Sequence, residues 1–511
     1  MESNPFILLE YLKKNIKSSA KIVIDTRKLL PGDIFFSYSV GYENNNRDNY
    51  NYINLAIENK AGIIVFDSTG IDDEKITEFK HLNCIEYINL ANDAGLICSE
   101  WYSNSKYDCK IIGVTGTNGK TSITQWLTQI LDKKYKTASI GTLGVCFNNQ
   151  FKNTGYTTPD AAVIQYEIKQ LFEKKINYLV LEVTSHALDQ GRVNGIHFKT
   201  AIFTNLTHDH LDYHKTIENY GKAKEKLFNY DSLENVIINI DDDFGKKITQ
   251  NLLQKQKKVN IWIYSINNKN YKTFMNDNIN HIYLLDYKII ENGYVCSLII
   301  NNSIIDNVFL PVFFKYNISN CLSIICVLLT ENIEIQEILL LISKICSVPG
   351  RMERIRLDNF PDIIIDYAHT PDSFEKNLIN LKYLKKNDEK IWCIFGCGGN
   401  RDITKRPIMG KIAQANSDYI IITNDNPRFE DPYEIISMIL SGIDDKLTNT
   451  KIYTIIDRKI AIEYAINHAK QNDIILITGK GHETTQEIKG IKYIFSDKEC
   501  VNNIIKFKNK E

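Results

Sequence analysis

The sequence predicts an α/β protein of three domains, spanning residues 1–107, 108–345 and 346–511. Three observations predict it. The chain has 511 residues, too many for one hydrophobic core. Residues 111–122, IIGVTGTNGKTS, read as a buried strand, a glycine-rich turn and the start of a helix, with ITQWLTQIL continuing at helical spacing. After residue 346, apolar runs of strand length alternate with helical segments and end in polar or glycine-rich loops. These make the central domain a P-loop ATPase-like parallel sheet and the last domain a doubly wound, Rossmann-like sheet.

Composition narrows the function classes. Net charge is −1 with no long basic run, so nucleic acid is not an expected partner. The 11 cysteines are scattered without CxxC pairs. Cys393 and Cys397 flank a strand-to-loop junction and read as a core and a loop position rather than a metal pair. A reduced, cytoplasmic compartment fits this usage. The N-terminus, MESNPFILLEYLKKN, reads as an amphipathic helix and not a signal peptide. No stretch suits a bilayer span, so membrane insertion is not expected. A monomer is the expected state.

In the first domain, KIVID and DIFFSYS are predicted strands joined by a Pro31-Gly32 turn. GYENNNRDNYN is a polar loop, and NYINLAIENKAGIIVFD follows as helix, turn and strand. In the second domain INYLVLEVTS, TAIFTNLT and ENVIINID are buried parallel strands. Residues 258–310 switch to short alternating segments, which predict an antiparallel insert before the helix YNISNCLSIICVLL. In the third, DIIIDYAHTP, KIWCIFGCGG, DYIIITNDNP, KIYTIID and DIILITGKG are strands, whose carboxyl ends should carry the ligands.

Chemistry concentrates at such strand ends. In the turn at 116–119 backbone N–H groups can face a polyphosphate beside a helix N-terminus. Lys120 can reach the terminal phosphates and Thr121 can bind Mg²⁺. The loop is a variant: five residues before Gly119 stands Val114, with glycines at 113 and 116 instead. Glu182 ends the strand YLVLEV, where a carboxylate suits a metal near the loop. Three His and two Asp fall within His208–His214; His210 and Asp209 are candidates, and spacing does not name the ligand. In YGKAKEKLF, Lys222, Lys224 and Lys226 alternate on a predicted helix and read, from pattern alone, as a solvated face.

The segments GVTGTNGKTS, EVTSHALDQGRV, FTNLTHDHLDYH, YGKAKEKLF, VPGRMER, DYAHTPDS, GCGGNRDITKRPIMG, DNPR and GKGHE occur in this order. Together they resemble the Mur ligases over nearly the whole chain. The resemblance implies an ATP- and Mg²⁺-dependent enzyme of peptidoglycan precursor synthesis. Such an enzyme joins an amino acid to a UDP-linked muramoyl peptide through an acyl phosphate. It assigns residues 1–107 to the UDP-muramoyl substrate, 108–345 to ATP and 346–511 to the amino acid. Lys120, Lys224, Glu182 and His210 become the catalytic set. Gly116, Thr117, Asn118, Gly119, Lys120, Thr121 and Ser122 serve the ATP phosphates, while Thr121, Glu182 and His210 hold metal. Lys224 falls where the family carries a carbamylated lysine, which reverses the solvated-face reading for that residue alone.

Asn317, Asn320, Arg351, Asp366 and His369 are implied for the rest of ATP, although the family's usual Phe-Asn is Tyr316-Asn317 here. For the UDP-muramoyl dipeptide the implied residues are Thr26, Thr157, Thr158, Ser185, Gln190 and Arg192. Asp25-Thr26-Arg27 replaces the family's Asp-Ser-Arg, and the loop at 41–51 departs further, with Asn49-Tyr50 for a Gly-His pair. Asp425, Asn426, Pro427 and Arg428, with Arg401, Gly479 and Glu483, are implied for the incoming amino acid. Members that add meso-diaminopimelate have arginine at the Arg428 position. A guanidinium binds the distal carboxylate of that amino acid through two parallel hydrogen bonds, and lysine lacks the carboxylate. A lysine-adding muramoyl ligase, a folylpolyglutamate synthetase-like ligase and a nucleotide-binding scaffold are the alternatives.

Overall fold

A computed structural model describes residues 3–39, 47–69, 71, 73–79, 82–255, 257–267, 274, 279–386, 388–444, 446 and 450–508. The chain folds as two compact units, Met1–Ile345 and Cys346–Glu511.

The first unit begins with helix Pro5–Asn15. Asn4 caps it, accepting from the backbone N–H groups of Phe6 and Ile7 at 3.0 and 3.3 Å, and Pro5 occupies the first turn. Leu8, Leu9 and Leu12 form its buried stripe. A four-stranded parallel sheet follows: Ile22–Val23, Ile34–Ser37, Ile63–Phe66 and Cys84–Glu86. The predicted strand KIVID is cut short because Asp25 caps a 3-10 turn over Thr26–Lys28. Its Oδ1 accepts from Arg27 N at 3.1 Å, and the carboxylate also pairs with the Arg27 side chain. Of the predicted polar loop GYENNNRDNYN, residues 41–46 lie outside the described residues. Its remainder is helical: Arg47–Glu58 buries Ile53 and Ala56, so the helical spacing of apolar residues overrides the asparagines.

The central sheet has 11 strands. In spatial order they are Ser303–Leu310, Gly293–Ile300, Ile279–Ile290, Asn260–Ser265, Asn235–Asn239, Phe198–Phe203, Lys110–Thr115, Tyr178–Glu182, Thr137–Gly141, Gly144–Phe147 and Gln150–Lys152. The run from Ile279 to Thr137 is parallel, and both flanks are antiparallel. The predicted antiparallel insert is therefore smaller than 258–310. Asn260–Ser265 pairs in parallel with both neighbours, and the antiparallel part begins with Ile279–Ile290, which extends the same sheet. The residues of IWIYS are all buried, as both faces of an interior parallel strand require, with helix Lys315–Thr330 packed against them.

The second unit is a six-stranded sheet in the order Glu353–Ile355, Asp362–Asp366, Ile474–Thr478, Ile391–Phe395, Tyr419–Ile422 and Lys451–Thr454. All pairs except the first are parallel. Ile363, Ile365, Trp392, Ile394, Ile421, Ile475 and Ile477 build its core with helices Arg458–His468 and Asp497–Lys508. A separate hairpin, Thr485–Ile488 with Ile491–Ile494, follows the last parallel strand. Sequence reading did not anticipate it.

Candidate active site

Strand Lys110–Thr115 delivers the chain into the Gly116–Gly119 turn, and helix Lys120–Leu131 starts immediately after. Gly119 adopts φ +89°, and a Cβ there would lie 2.7 Å from Asn320 Oδ1. Only glycine allows this approach, and it brings Asn317 and Asn320 beside the loop, with Asn320 Nδ2 donating to Asn317 Oδ1 at 2.9 Å. The turn is also tied to the end of strand Phe198–Phe203. Asn118 N donates to Asn205 Oδ1 at 2.9 Å, and Thr204 Oγ1 donates to Asn118 O at 2.6 Å. Lys120 folds back over the loop, its Nζ donating to the carbonyls of Gly116 and Thr117, both at 2.8 Å. Ser122 is half-buried in the first helical turn.

Glu182 is fully buried at the end of its strand. Its Oε2 accepts from Thr121 Oγ1 at 3.0 Å and from Thr142 Oγ1 at 3.1 Å, and its Oε1 accepts from Thr142 N at 2.9 Å. No cationic side chain pairs with it among the described residues. A buried carboxylate in contact with a hydroxyl at a phosphate loop is the oxygen donor set that magnesium takes together with nucleotide phosphates. Thr121 and Glu182 therefore fit that ion. Among the described residues no three His, Cys, Asp or Glu side chains gather closely enough to hold a metal by themselves.

The three alternating lysines behave differently. Lys222 and Lys226 are exposed, paired with Glu218 at 3.0 Å and Asp189 at 2.8 Å. Lys224 is 1 % exposed. Its Nζ donates to Gly116 O at 3.0 Å and lies 4.1 Å from the centroid of the Tyr220 ring. Burial holds its amine well below the usual lysine range; Lys120 adds to this and Asp209 opposes it. The pattern-based reading of a solvated face thus holds for Lys222 and Lys226 and fails for Lys224. The short helix Ile217–Glu225 turns its middle residues, Tyr220, Gly221, Ala223 and Lys224, inward.

His210 sits at φ +52°, its N–H donating to Asp209 Oδ1 at 2.9 Å and its Nε2 3.4 Å from Asp209 Oδ2. Its ring meets His186 edge-on at 4.8 Å. His186 packs in turn on Tyr213 and His214, and burial with the neighbouring His210 and His214 pushes it down to about 4. His214 Nε2 lies 3.0 Å from Ser185 Oγ.

Of the residues expected for the muramoyl peptide, Thr157, Thr158, Gln190 and Arg192 form one connected hydrogen-bond network. Thr157 Oγ1 lies 3.2 Å from Thr142 Oγ1, which joins it to Glu182. Thr158 Oγ1 donates to Glu182 O at 2.8 Å, and Arg192 donates to Thr158 O at 3.0 Å and to Gln190 Oε1 at 2.8 Å. Gln190 reaches Tyr213 at 3.2 Å. Among the described residues Thr26 makes no hydrogen bond to this network; its carbonyl accepts from Asn59 Nδ2 at 3.2 Å.

In the second unit the expected residues gather at the carboxyl ends of the strands. Asp366 is buried and accepts from Met352 N at 2.8 Å, Ala368 N at 2.7 Å and Asn377 Nδ2 at 2.7 Å. Burial pushes its carboxyl up, against the pull of Arg351. The Arg351 guanidinium lies 4.7 Å from the centroid of the Tyr367 ring. The Tyr367 hydroxyl is raised by burial and stands in the fields of Glu483, Arg351, Asp425 and Arg401. His369 Nδ1 lies 2.9 Å from Tyr367 O. A Cβ on Gly479 would meet Asp425 Oδ2 at 2.6 Å.

Arg428 is at φ +52°, a left-handed conformation that a β-carbon makes costly. Two loops hold it there. Arg428 Nη1 donates to Gly399 O at 2.7 Å, and Gly399 N donates to Asn426 O at 2.9 Å. From the hairpin, Glu487 O accepts from Arg428 N at 3.1 Å, Lys489 N donates to Arg428 O at 2.6 Å, and the Glu487 carboxylate faces Arg428 Nε at 3.5 Å. Arg406, wholly buried, adds a brace: it pairs with Glu430 at 2.8 Å and donates to Gly398 O at 3.1 Å. Arg401 stays exposed at the rim.

Sequence reading missed Thr142, Thr204, Asn205, Tyr220, Arg406, Lys480 and Glu487. The hairpin carried a readable signal. EIKGIKYI alternates about Lys489-Gly490, and both turn residues have positive φ, +50° and +78°.

A phosphate-loop lysine at a helix start, a buried carboxylate behind it and an arginine-bearing loop on a doubly wound sheet define a nucleotide-dependent enzyme that handles anionic substrates. Comparison with known proteins agrees. Residues 114–328 match the Mur ligase middle domain, and residues 350–481 match the Mur ligase, glutamate ligase domain. The UDP-N-acetylmuramoyl-L-alanyl-D-glutamate–2,6-diaminopimelate ligase of Janthinobacterium sp. (strain Marseille) is 38% identical, over 96% of this chain and 94% of that protein. The enzyme of the same name from Buchnera aphidicola subsp. Acyrthosiphon pisum is also 38% identical, over 98% of each chain. A solved structure of a ligase of that name superposes with a TM-score of 0.66 at 29% identity, covering 96% of this chain and 95% of the other. The chain belongs to the Mur ligase family.

Proposed function

We propose that this chain is the ATP-dependent ligase that adds meso-diaminopimelate to UDP-N-acetylmuramoyl-L-alanyl-D-glutamate in peptidoglycan precursor synthesis. The observation that carries the amino-acid assignment is Arg428. Its guanidinium is anchored through Nη1 and Nε at the end of a parallel strand, in a backbone conformation sustained by flanking loops. A distal carboxylate is the complementary ligand. L-lysine would leave that guanidinium desolvated without one, and sites built around such a polar partner discriminate by up to about 10⁴–10⁵.

The reaction begins with transfer of the ATP γ-phosphoryl group to the terminal carboxylate of the muramoyl peptide, releasing ADP. The amine of diaminopimelate then attacks the acyl phosphate, loses a proton, and the tetrahedral adduct expels phosphate as the amide forms. The first step brings anions together, so positive charge must offset the repulsion. Lys120 supplies it at the phosphates, with the backbone N–H groups of Gly116–Gly119 and the hydroxyls of Thr121 and Ser122. Thr121 and Glu182 would hold magnesium, which would supply further positive charge against that repulsion. His210 is the candidate for a second metal contact. Asn317, Asn320, Arg351, Asp366 and His369 hold the remainder of ATP. Thr26, Thr157, Thr158, Ser185, Gln190 and Arg192 hold the UDP-muramoyl peptide. Arg401, Asp425, Asn426, Pro427, Arg428, Gly479 and Glu483 hold diaminopimelate.

Lys224 has a defined part in this reading. An unprotonated amine adds to CO₂, losing a proton to give a carbamate. Burial lowers the pKa of Lys224 and so favours that unprotonated form. The carbamate is an oxygen ligand beside the phosphate loop, where an ammonium would repel the metal. We further assign three domains, 1–107, 108–345 and 346–511, a cytoplasmic location and a monomeric state. Product analysis tests the reaction: ATP, the UDP-muramoyl dipeptide and meso-diaminopimelate should yield ADP, phosphate and a nucleotide heavier by diaminopimelate less water, in equal amounts. Nucleotide hydrolysis without that product contradicts it.

A further inference from the structure

Lys480, in the loop after strand Ile474–Thr478, is buried completely, side chain included. Its three N–H bonds meet three acceptors: Glu483 Oε2 at 2.8 Å, Thr485 O at 2.8 Å and Asn426 Oδ1 at 3.2 Å. Asn426 completes a closed network. Its Nδ2 donates to the same Glu483 Oε2 at 2.9 Å, and its Oδ1 also accepts from Glu487 N at 2.9 Å. The lysine thereby settles which way the Asn426 amide faces, because an ammonium accepts nothing and must meet the oxygen. It also draws both bonds to Glu483 onto one oxygen; among the described residues Oε1 has no hydrogen bond. Asn426 and Glu483 are 57 residues apart, and Lys480 bonds to both.

We propose that Lys480 is a positioning residue for the amino-acid substrate, acting through Asn426 and Glu483. It rests on the functional reading above and deepens it. The buried ammonium fixes the rotamer of Glu483 so that Oε1 is presented to an ammonium group of diaminopimelate, and it fixes Asn426 in the loop that carries Arg428. Its charge also offsets that of Glu483. The pocket side chains Arg401, Arg428 and Lys480 then balance Asp425, Glu483 and Glu487, matching a substrate with two carboxylates and two ammonium groups. Lys480 touches no reacting atom.

The test is steady-state phosphate release with the full chain and the Lys480→Met, Lys480→Gln, Glu483→Gln and Lys480→Met/Glu483→Gln variants. Each is first checked for an unaltered melting transition. The KM for meso-diaminopimelate should rise about 10- to 100-fold in Lys480→Met, with the KM for ATP and for the UDP-muramoyl dipeptide unchanged. Lys480→Gln, which keeps a donor, should recover part of the loss. Adding Lys480→Met to Glu483→Gln should cost less than it costs alone, since the two act through one contact. An unchanged KM for diaminopimelate in Lys480→Met, a parallel rise in all three KM values, full additivity or a variant that does not fold would overturn the positioning role. A wild-type chain that releases no phosphate with meso-diaminopimelate overturns the functional reading itself, a result distinct from all of these.

Discussion

Lys224 Nζ and Lys120 Nζ donate to the same acceptor, the carbonyl oxygen of Gly116, at 3.0 and 2.8 Å. Two ammonium groups on one carbonyl repel each other, and the buried one yields its proton more readily. Removing Lys224 should therefore be far more damaging than removing its neighbours. Lys224→Ala should lower turnover by about 10²–10³-fold or more, with partial rescue by small carboxylates such as acetate. Lys222→Ala and Lys226→Ala break only exposed ion pairs, worth up to about 1 kcal/mol, and should leave turnover intact. Near-normal activity in Lys224→Ala would remove its role at the metal.

Gly119→Ala places a β-carbon against Asn320 Oδ1 on a backbone at φ +89°. The left-handed conformation alone costs about 1–2 kcal/mol, and the loop must also move away from Asn320. The expected result is a raised KM for ATP with the KM for diaminopimelate unchanged. Equal effects on both would mean that the loop does not act on the nucleotide alone.

Arg428→Ala leaves a substrate carboxylate without its partner, which costs about 2–5 kcal/mol. The KM for meso-diaminopimelate should rise at least 30-fold, while discrimination against L-lysine weakens. Arg428→Lys should not restore it, because an ammonium lacks the paired donors. A variant that still rejects lysine as the wild type does would place specificity elsewhere.

Burial and the adjacent Arg351 push His482 down from 6.5 to about 4. The unfolded chain then binds the extra proton more tightly than the folded one. This stability is fully present above about pH 6.5 and is lost as pH falls toward 4. Between pH 7 and 5 the loss is about 1–2 kcal/mol. Urea midpoints at the two pH values should lie further apart in the wild type than in His482→Gln, whose acid-side decline should be shallower. Parallel declines would show that His482 is not kept neutral by the fold.

Strands such as Tyr178–Glu182, Phe198–Phe203 and Ile474–Thr478 were legible because each is a mostly apolar run ending in a polar loop, and the phosphate turn because few other uses demand Gly-Lys-Thr after such a run. Lys224 was not legible from pattern. Three lysines at spacing two spread around a helix, and only tertiary packing decides which one is buried. Asn260–Ser265 was misread because its neighbours alternate, although IWIYS itself is a two-sided run. Lys480 and Arg406 escaped because a fully buried cation is defined by acceptors far away in sequence, at 426 for one and 430 for the other.

The most direct test of the central claim is phosphate release from ATP by the folded chain with Mg²⁺, bicarbonate and UDP-N-acetylmuramoyl-L-alanyl-D-glutamate, supplying either meso-diaminopimelate or L-lysine. Release with meso-diaminopimelate and little with L-lysine is the predicted result. Preference for lysine would keep the ligase and overturn the role given to Arg428, and no release with either would contradict the assignment as a whole.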